Sequence, residues 1–292
     1  MIASINTETC KRCGLCSQIC PAKIYTKTES GEIKVDTDRA DVCLKCGQCM
    51  AICETQSIKI EGLSYEKDLF EIPENSVNYD IFYNFLATRR SVRNFKNKPV
   101  EKEVIQKIID AISLAPYGAL PNNVEITVVQ NRQVIEKALP FMEEFINNCD
   151  KWFSNPISHL MIKRRLSVER YNTIINHLLP RIRKGQYKIA QRGDTITRNA
   201  PALLIFHADK GAEEHTEDAL IYLTYALLAA HSLGLGATVI GLVPPPINKI
   251  KELKDIFNIP ENNEAIIAMI IGYPQYKFKK GIKRPRTKIH WL

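Results

Sequence analysis

An α+β chain made of two unlike parts is predicted by three observations. Eight of the nine cysteines crowd into two short arrays before residue 62, and apolar residues recur at helix and strand spacings from residue 81 onward. The 292 residues, 45% of them hydrophobic, supply enough apolar side chain for more than one core. The expected parts are a small cysteine-rich domain at 1–62, a linker at 63–80, and a larger domain at 81–292 in which helices flank a central sheet.

The first array reads Cys10-x2-Cys13-x2-Cys16-x3-Cys20-Pro21 and the second Cys43-x2-Cys46-x2-Cys49-x3-Cys53, an internal repeat displaced by 33 residues. Thiols two residues apart are poor disulfide partners. The start, MIASINTETC, has no apolar stretch following a basic one, so metal ligands in a cytoplasmic protein are expected. Three thiolates on one short loop cap three corners of an iron–sulfur cubane, and the fourth cysteine, expected at the entry to a helix, points away to the other cluster. That rule gives one 4Fe-4S cluster to Cys10, Cys13, Cys16 and Cys53, and the other to Cys43, Cys46, Cys49 and Cys20. Gly14 and Gly47 stand at matching places where each loop must bend. The alternative is a pair of four-cysteine zinc sites, which also use Cys-x2-Cys pairs but have no use for a third cysteine in each loop. Over about residues 1–62 the arrays resemble the two-cluster bacterial-type ferredoxins, with Glu54 where that family usually has proline.

Residues 64–80, SYEKDLFEIPENSVNYD, are polar without a clear period and read as the linker. IFYNFLATRR is expected to be helical, as is 101–115, where Val104, Ile105, Ile108, Ile109 and Ile112 share a face before Pro116. EITVV (125–129), ALLIFHA (202–208), GATVIGLV (236–243) and AIIAMIIGY (265–273) are strand candidates, separated by helices at 214–233 and 247–257. Residues 132–200 form a basic, mostly helical insert, longer than a connection requires, and are expected to act as a lid.

Charge is uneven. Basic and acidic residues balance over 1–62, so the whole formal charge of +8 belongs to the remainder. The basic stretches IKRRL and KKGIKRPRTK lack interleaved aromatic residues and any nucleic-acid motif, so no nucleic-acid partner is expected. ALIYLTYALLAA is too short to span a bilayer, and no membrane association is expected either. Cys149 has no partner array, and His207 and His231 are expected to be satisfied core histidines.

In ATRRSVRNF (87–95), three arginines and a serine lie at a helix end and the turn after it, a composition able to surround a phosphate with charge and donors. APYGALPNN follows at 115–123, GLGATVIGL at 234–242, and GYP with a basic tail at 272–288. In that order the four segments resemble the nitroreductase family of FMN flavoproteins over about residues 81–292. The resemblance implies that Arg89, Arg90, Ser91 and Arg93 hold the FMN phosphate, ribityl chain and pyrimidine edge. It places Pro116, Tyr117, Gly118 and Asn122 in the loop over the flavin, Ile240 and Gly241 beside its reactive edge, and Lys280 and Arg284 on the phosphate. Leu120 stands where the family has asparagine, and Asn122 where it has glutamine. It implies a homodimer as well.

Ferredoxin first and nitroreductase second is also the order of a group of fused proteins that the chain resembles. The implied activity is an oxidoreductase that takes electrons from reduced ferredoxin or a similar low-potential donor, passes them through the clusters to FMN, and delivers them to a small organic acceptor such as a nitroaromatic, quinone or activated alkene. An electron-transfer protein serving another redox protein, and a specialised dehalogenase or oxidase of the same fold, are the alternatives. No general base is assigned, and Tyr117 is the candidate for substrate contact.

Overall fold

The structure, a computed structural model, describes residues 2–74, 76–118, 123–284 and 287–292. The chain forms two compact units, Met1–Val77 and Asn78–Leu292. Leu120 and Asn122 lie outside the described residues.

The first unit runs β1 (Ala3–Ile5), α1 (Leu15–Ile19), β2 (Tyr25–Lys27), β3 (Ile33–Val35), α2 (Gln48–Ala51), β4 (Ile58–Ile60) and α3 (Tyr65–Asp68). β1 pairs antiparallel with β4 and β2 with β3. Gly14 and Gly47 precede α1 and α2 with φ of 82° and 71°, left-handed values that glycine adopts without a Cβ penalty, so each cysteine loop turns directly into a helix. The helix therefore starts inside each array. Contrary to the expectation that the fourth cysteine enters a helix, Cys20 caps the C-terminal end of α1 and Cys53 follows α2. The core is small and contains sulfur: Ile24, Tyr25, Met50, Ile58 and Ile60 pack with Cys16, Cys20 and Cys49. Leu63, Tyr65 and Leu69 pack against that core, so the unit continues past residue 62 into the segment read as a linker.

The second unit opens at Asn78, whose side chain caps α4 (Tyr79–Thr88) by accepting from Ile81 N at 3.0 Å. α5 (Lys102–Ile112), β5 (Glu125–Val129) and α6 (Arg132–Ser154) follow. Next come α7 (Pro156–Arg165), α8 (Val168–Thr173), a π-helical turn at Ile174–Leu178, α9 (Leu179–Arg183) and α10 (Ile189–Arg192). β6 (Ala202–Asp209), α11 (His215–Ser232), β7 (Gly236–Val239), α12 (Pro244–Ile247), α13 (Lys251–Phe257) and β8 (Asn263–Gly272) complete it. The sheet order is β5-β6-β8-β7, antiparallel throughout. β6 reads as a continuous apolar run because both its faces are covered. Ala202, Leu204, Phe206 and Ala208 pack with residues of α5 and α11, while Leu203 and Ile205 pack with residues of α6 and α13.

Two boundaries differ from the sequence reading. β7 stops at Val239, and the helix expected at 247–257 starts only at Lys251 as α13, after a separate short helix α12 that ends at Ile247. Asn248 causes the break: its Nδ2 donates to Ala265 O at 2.8 Å and its Oδ1 accepts from Ala265 N at 2.7 Å, so a side chain takes the place of a neighbouring strand. The 132–200 insert is helical, yet Ile135, Ala138, Leu139, Met142 and Ile146 of α6 are buried in the core, so its first half is a packed layer of the domain. By contrast α7, α8 and α10 bury no residue. Asp194 clamps the insert's end to its beginning: the carboxylate accepts from Arg132 Nη2 at 2.8 Å and from the amides of Ile196, Thr197 and Asn199. Burial pushes the Asp194 pKa up, but these donors outweigh it and hold it below the usual value. Among the described residues no helix is long and apolar enough to cross a membrane.

Gly236 opens β7 where Val92 backs onto it, and a Cβ there would lie 2.6 Å from Val92 Cβ and Cγ1. Gly236→Ala is expected to push the segment after α4 off the sheet edge and to destabilise the unit by about 1–3 kcal/mol, measured as a lower midpoint in urea denaturation followed by circular dichroism.

Candidate functional site

In the first unit, the eight repeat cysteines surround two hollows. One is lined by Cys10, Cys13, Cys16 and Cys53, the other by Cys20, Cys43, Cys46 and Cys49. Each therefore receives three sulfurs from one array and the fourth from the other. Among the described residues no three His, Cys, Asp or Glu side chains stand close enough to share a single ion. Four sulfurs ringing a hollow thus fit a cubane, whose irons each take one thiolate, better than a single zinc. Cys13 and Cys46 are exposed, while Cys16, Cys20 and Cys49 are buried. Burial pushes the Cys16 thiol up to about 11 and raises Cys49 too, so iron, and not water, would have to keep these groups deprotonated. Cys53 goes the other way. Burial raises it, but the Ser57 amide and the Thr55 hydroxyl and amide outweigh that and leave its pKa lowered. Glu54, standing where the ferredoxins usually carry proline, pairs with Lys11 at 3.0 Å in a solvent-exposed ion pair of little energetic weight.

In the second unit, the segment after α4 is extended and laced onto the sheet edge. Ser91 bridges to Ala237, Val92 N donates to Ala237 O at 3.0 Å, and Lys96 N donates to Tyr273 O at 2.8 Å. Arg89 and Arg90 are thereby held at one wall of a groove shared with Thr88, His231, Lys277 and Phe278. Burial, and then the charges of Arg90 and the C-terminal Arg284, push the Arg89 pKa down, so the Arg284 charge is felt at Arg89 although Arg284 does not line the groove. None of the ion pairs among the described residues involves these three arginines. Arg90 lies with its guanidinium 5.6 Å from the Phe278 ring, and its Nε is buried without a hydrogen-bond partner. Clustered guanidiniums without a carboxylate, one of them holding an unspent donor, fit an anion with several acceptor oxygens, which is the chemistry of the FMN phosphate.

The other expected contacts divide. Gly118 N donates at 2.9 Å to Asp218, a buried carboxylate in the first turn of α11, so the Pro116–Tyr117–Gly118 turn is tied to that helix. Ile240 buries its side chain in the core and spends its amide on Ala268 O, while Gly241 is exposed. Arg93, Lys280 and the Pro116–Gly118 turn are not among the groove's lining residues. His207 is buried and bonded to Thr127 and Asn263 at 3.0 and 2.9 Å. His231 is not a core residue: it is half-buried at the groove, and its Nε2 lies 2.8 Å from Thr88 Oγ1, which itself donates to Phe85 O. Since that hydroxyl spends its hydrogen on Phe85, His231 donates, and it pins the end of α4 to α11. Burial, with the nearby charge of Arg89, lowers its pKa and favours this neutral form. Cys149 is half-buried and donates to Phe145 O within its own helix. Thr88, Lys277 and Phe278 lie inside segments the sequence singles out without being singled out themselves, and Asp218 carries no signal beyond its place in a helix.

The nitroreductase family pattern matches residues 86–273, and a 4Fe-4S dicluster domain pattern matches residues 2–56. The chain belongs to the nitroreductase family. An iodotyrosine deiodinase of Danio rerio is 24% identical over 72% of this chain and 68% of its own length. An FMN reductase [NAD(P)H] of Bacillus subtilis is 22% identical over 70% of each. The crystal structure of a Bacteroides fragilis nitroreductase with bound FMN superposes with a TM-score of 0.51 at 19% identity, covering 74% of this chain and all of that one. That likeness bears on fold, and the fold agrees with the family.

The crossed ring of sulfurs has a direct consequence. Cys20→Ala is expected to lose about half the bound iron, and the lost cluster is the one held by Cys43, Cys46 and Cys49, detected by iron assay together with loss of one of two cluster signals in the electron paramagnetic resonance (EPR) spectrum of the reduced protein.

Proposed function

We propose that the chain is an FMN-dependent oxidoreductase supplied with electrons through its own iron–sulfur unit, reducing a small organic acceptor such as a nitroaromatic, quinone or activated alkene. The observation that carries the reading is the carboxylate-free cluster of Arg89, Arg90 and Arg284 with its unspent Arg90 Nε, in a chain whose other unit rings two hollows with four sulfurs each. When bound, 4Fe-4S clusters exchange electrons one at a time and FMN singly or in pairs, which lets single-electron delivery serve a two-electron reduction. The chain's own residues supply the rest. Arg89, Arg90 and Arg284 anchor the phosphate. His231 fixes the end of α4 from which the arginines project. Asp218 holds the Pro116–Gly118 turn, carrying Tyr117, in one position. The electron donor is reduced ferredoxin or a similar low-potential carrier.

Reductive dehalogenation is the second reading, supported by the several iodotyrosine deiodinases among the relatives, including those of Danio rerio and Drosophila melanogaster. It consumes the same two electrons and differs in the acceptor alone. Offering the holoprotein reduced ferredoxin with either a nitroaromatic or a halogenated phenol distinguishes the two, by loss of the nitro absorbance or by release of halide.

A homodimer belongs to the same proposal. α4 buries no residue and exposes Ile81, Phe82, Tyr83 and Leu86, and α11 exposes Leu220, an apolar surface of the kind that marks an interface. Sedimentation of the holoprotein at twice the chain mass is the expected result.

Arg89→Ala tests the anchor. A charge-assisted bond to phosphate is worth about 1.5–3 kcal/mol, so the variant is expected to bind FMN roughly tenfold to a hundredfold more weakly with its iron content unchanged, measured by fluorescence titration with FMN.

A further inference from the structure

The two halves of the cysteine repeat match in their ligands and differ in the residues just after the last ligand. Across the 33-residue displacement, Thr55 corresponds to Ala22 and Ser57 to Ile24. Thr55 Oγ1 lies 3.7 Å from Cys53 Sγ and 2.7 Å from Ser57 Oγ, and Ser57 Oγ lies 2.9 Å from Thr9 Oγ1. Ser57 is fully buried, whereas Thr9 is exposed. The Ser57 amide donates to the same sulfur at 3.3 Å.

A sulfur bound to iron is a thiolate and only accepts, which fixes the direction of the chain. Thr55 donates to Cys53, Ser57 donates to Thr55, and Thr9 donates to Ser57. Thr9 has one other acceptor, Asn6 O, at the longer distance of 3.5 Å. Hydroxyls aligned head to tail polarise one another, so the last is a stronger donor than a lone threonine. Arg12 N adds a bond to Cys10 Sγ at 3.4 Å on the same cluster. The other cluster is served differently. Cys20 is followed by Pro21 and Ala22, neither of which has a side-chain donor. The side-chain donor found there is Tyr25, whose hydroxyl lies 3.4 Å from Cys49 Sγ.

Adding an electron to a 4Fe-4S cluster increases the negative charge on its sulfurs, so donors aimed at those sulfurs favour the reduced form and raise the potential. We propose that the hydroxyl chain Thr9–Ser57–Thr55, aimed at Cys53, makes the cluster of Cys10, Cys13, Cys16 and Cys53 the higher-potential one of the pair, so that the first electron taken up resides there. The step is the transfer of one electron from a one-electron reductant to the cluster, with no bond made or broken and no proton moved. The inference rests on two clusters being present, which iron and sulfide assays of each sample establish separately.

The test is an anaerobic dithionite titration of the full-length holoprotein, followed by EPR of the reduced clusters. Wild type is expected to reduce in two steps. Thr55→Val is expected to lower the midpoint of the higher step and leave the lower one in place, while Thr55→Ser, which keeps the hydroxyl, retains the wild-type value. Tyr25→Phe is expected to lower only the lower step. A single unresolved step in wild type overturns the proposal. So does a Thr55→Val variant with full iron whose higher step is unmoved, or whose lower step moves instead. Should Thr55→Val lose iron, Thr9→Val, at the exposed end of the chain, takes its place: a smaller downward shift of the higher step supports the proposal, and an unmoved one overturns it.

Discussion

A strand paired on both edges and apolar on both faces can only sit in the middle of a domain, and β6 is such a strand. β8 pairs along its length, and the two are enclosed by α5 and α11 on one side and by α6 and α13 on the other. Of the two edge strands, β5 and β7, the shorter is β7 with four residues, whose outer edge is open to whatever chain comes next to it. The segment after α4 takes that place through Ser91 and Val92. The arginine pair is therefore where it is because a short edge strand needed a cover, and the same pairing brings the start and the end of the domain together.

Gathering Arg89, Arg90 and Arg284 in one place costs energy. Burial disfavours the charge on Arg89 most, and repulsion from Arg90 and Arg284 lowers its pKa further. Most proteins relieve such a cluster with a carboxylate. Here Phe278 stacks over Arg90 and the buried acids are spent elsewhere, Asp218 on the Gly118 amide and Asp194 on Arg132. Charge left unrelieved in this way suits the groove to an anion.

The two rings of sulfur were legible in the sequence because their geometry is local: three of the four cysteines around each hollow come from one loop, and spacing alone constrains them. The four strands and the long helices were legible for the same reason, since apolar periodicity is a short-range signal. Contacts across long separations were not. Only the family resemblance set Arg284 on the same phosphate as Arg89, nothing in an apolar helix marks His231 as facing a groove, and an aspartate in a helix's first turn looks like a complement to the helix dipole until its partner, the Gly118 amide, is seen. The split between α12 and α13 was hidden because Asn248 acts as a strand, a role no propensity encodes. The end of the first unit was misplaced at 62 because Leu63, Tyr65 and Leu69 are isolated apolar residues whose shared core lies elsewhere in the chain.

In the first unit, Cys16, Cys20 and Cys49 belong to the hydrophobic core as well as to the rings of sulfur around the two hollows. The strands there are three residues long, and few large apolar side chains remain once the sulfurs are set aside. The second unit has a large aliphatic core of its own. A unit built this way would tighten as its two hollows fill, whereas the larger unit draws its order from its own side chains.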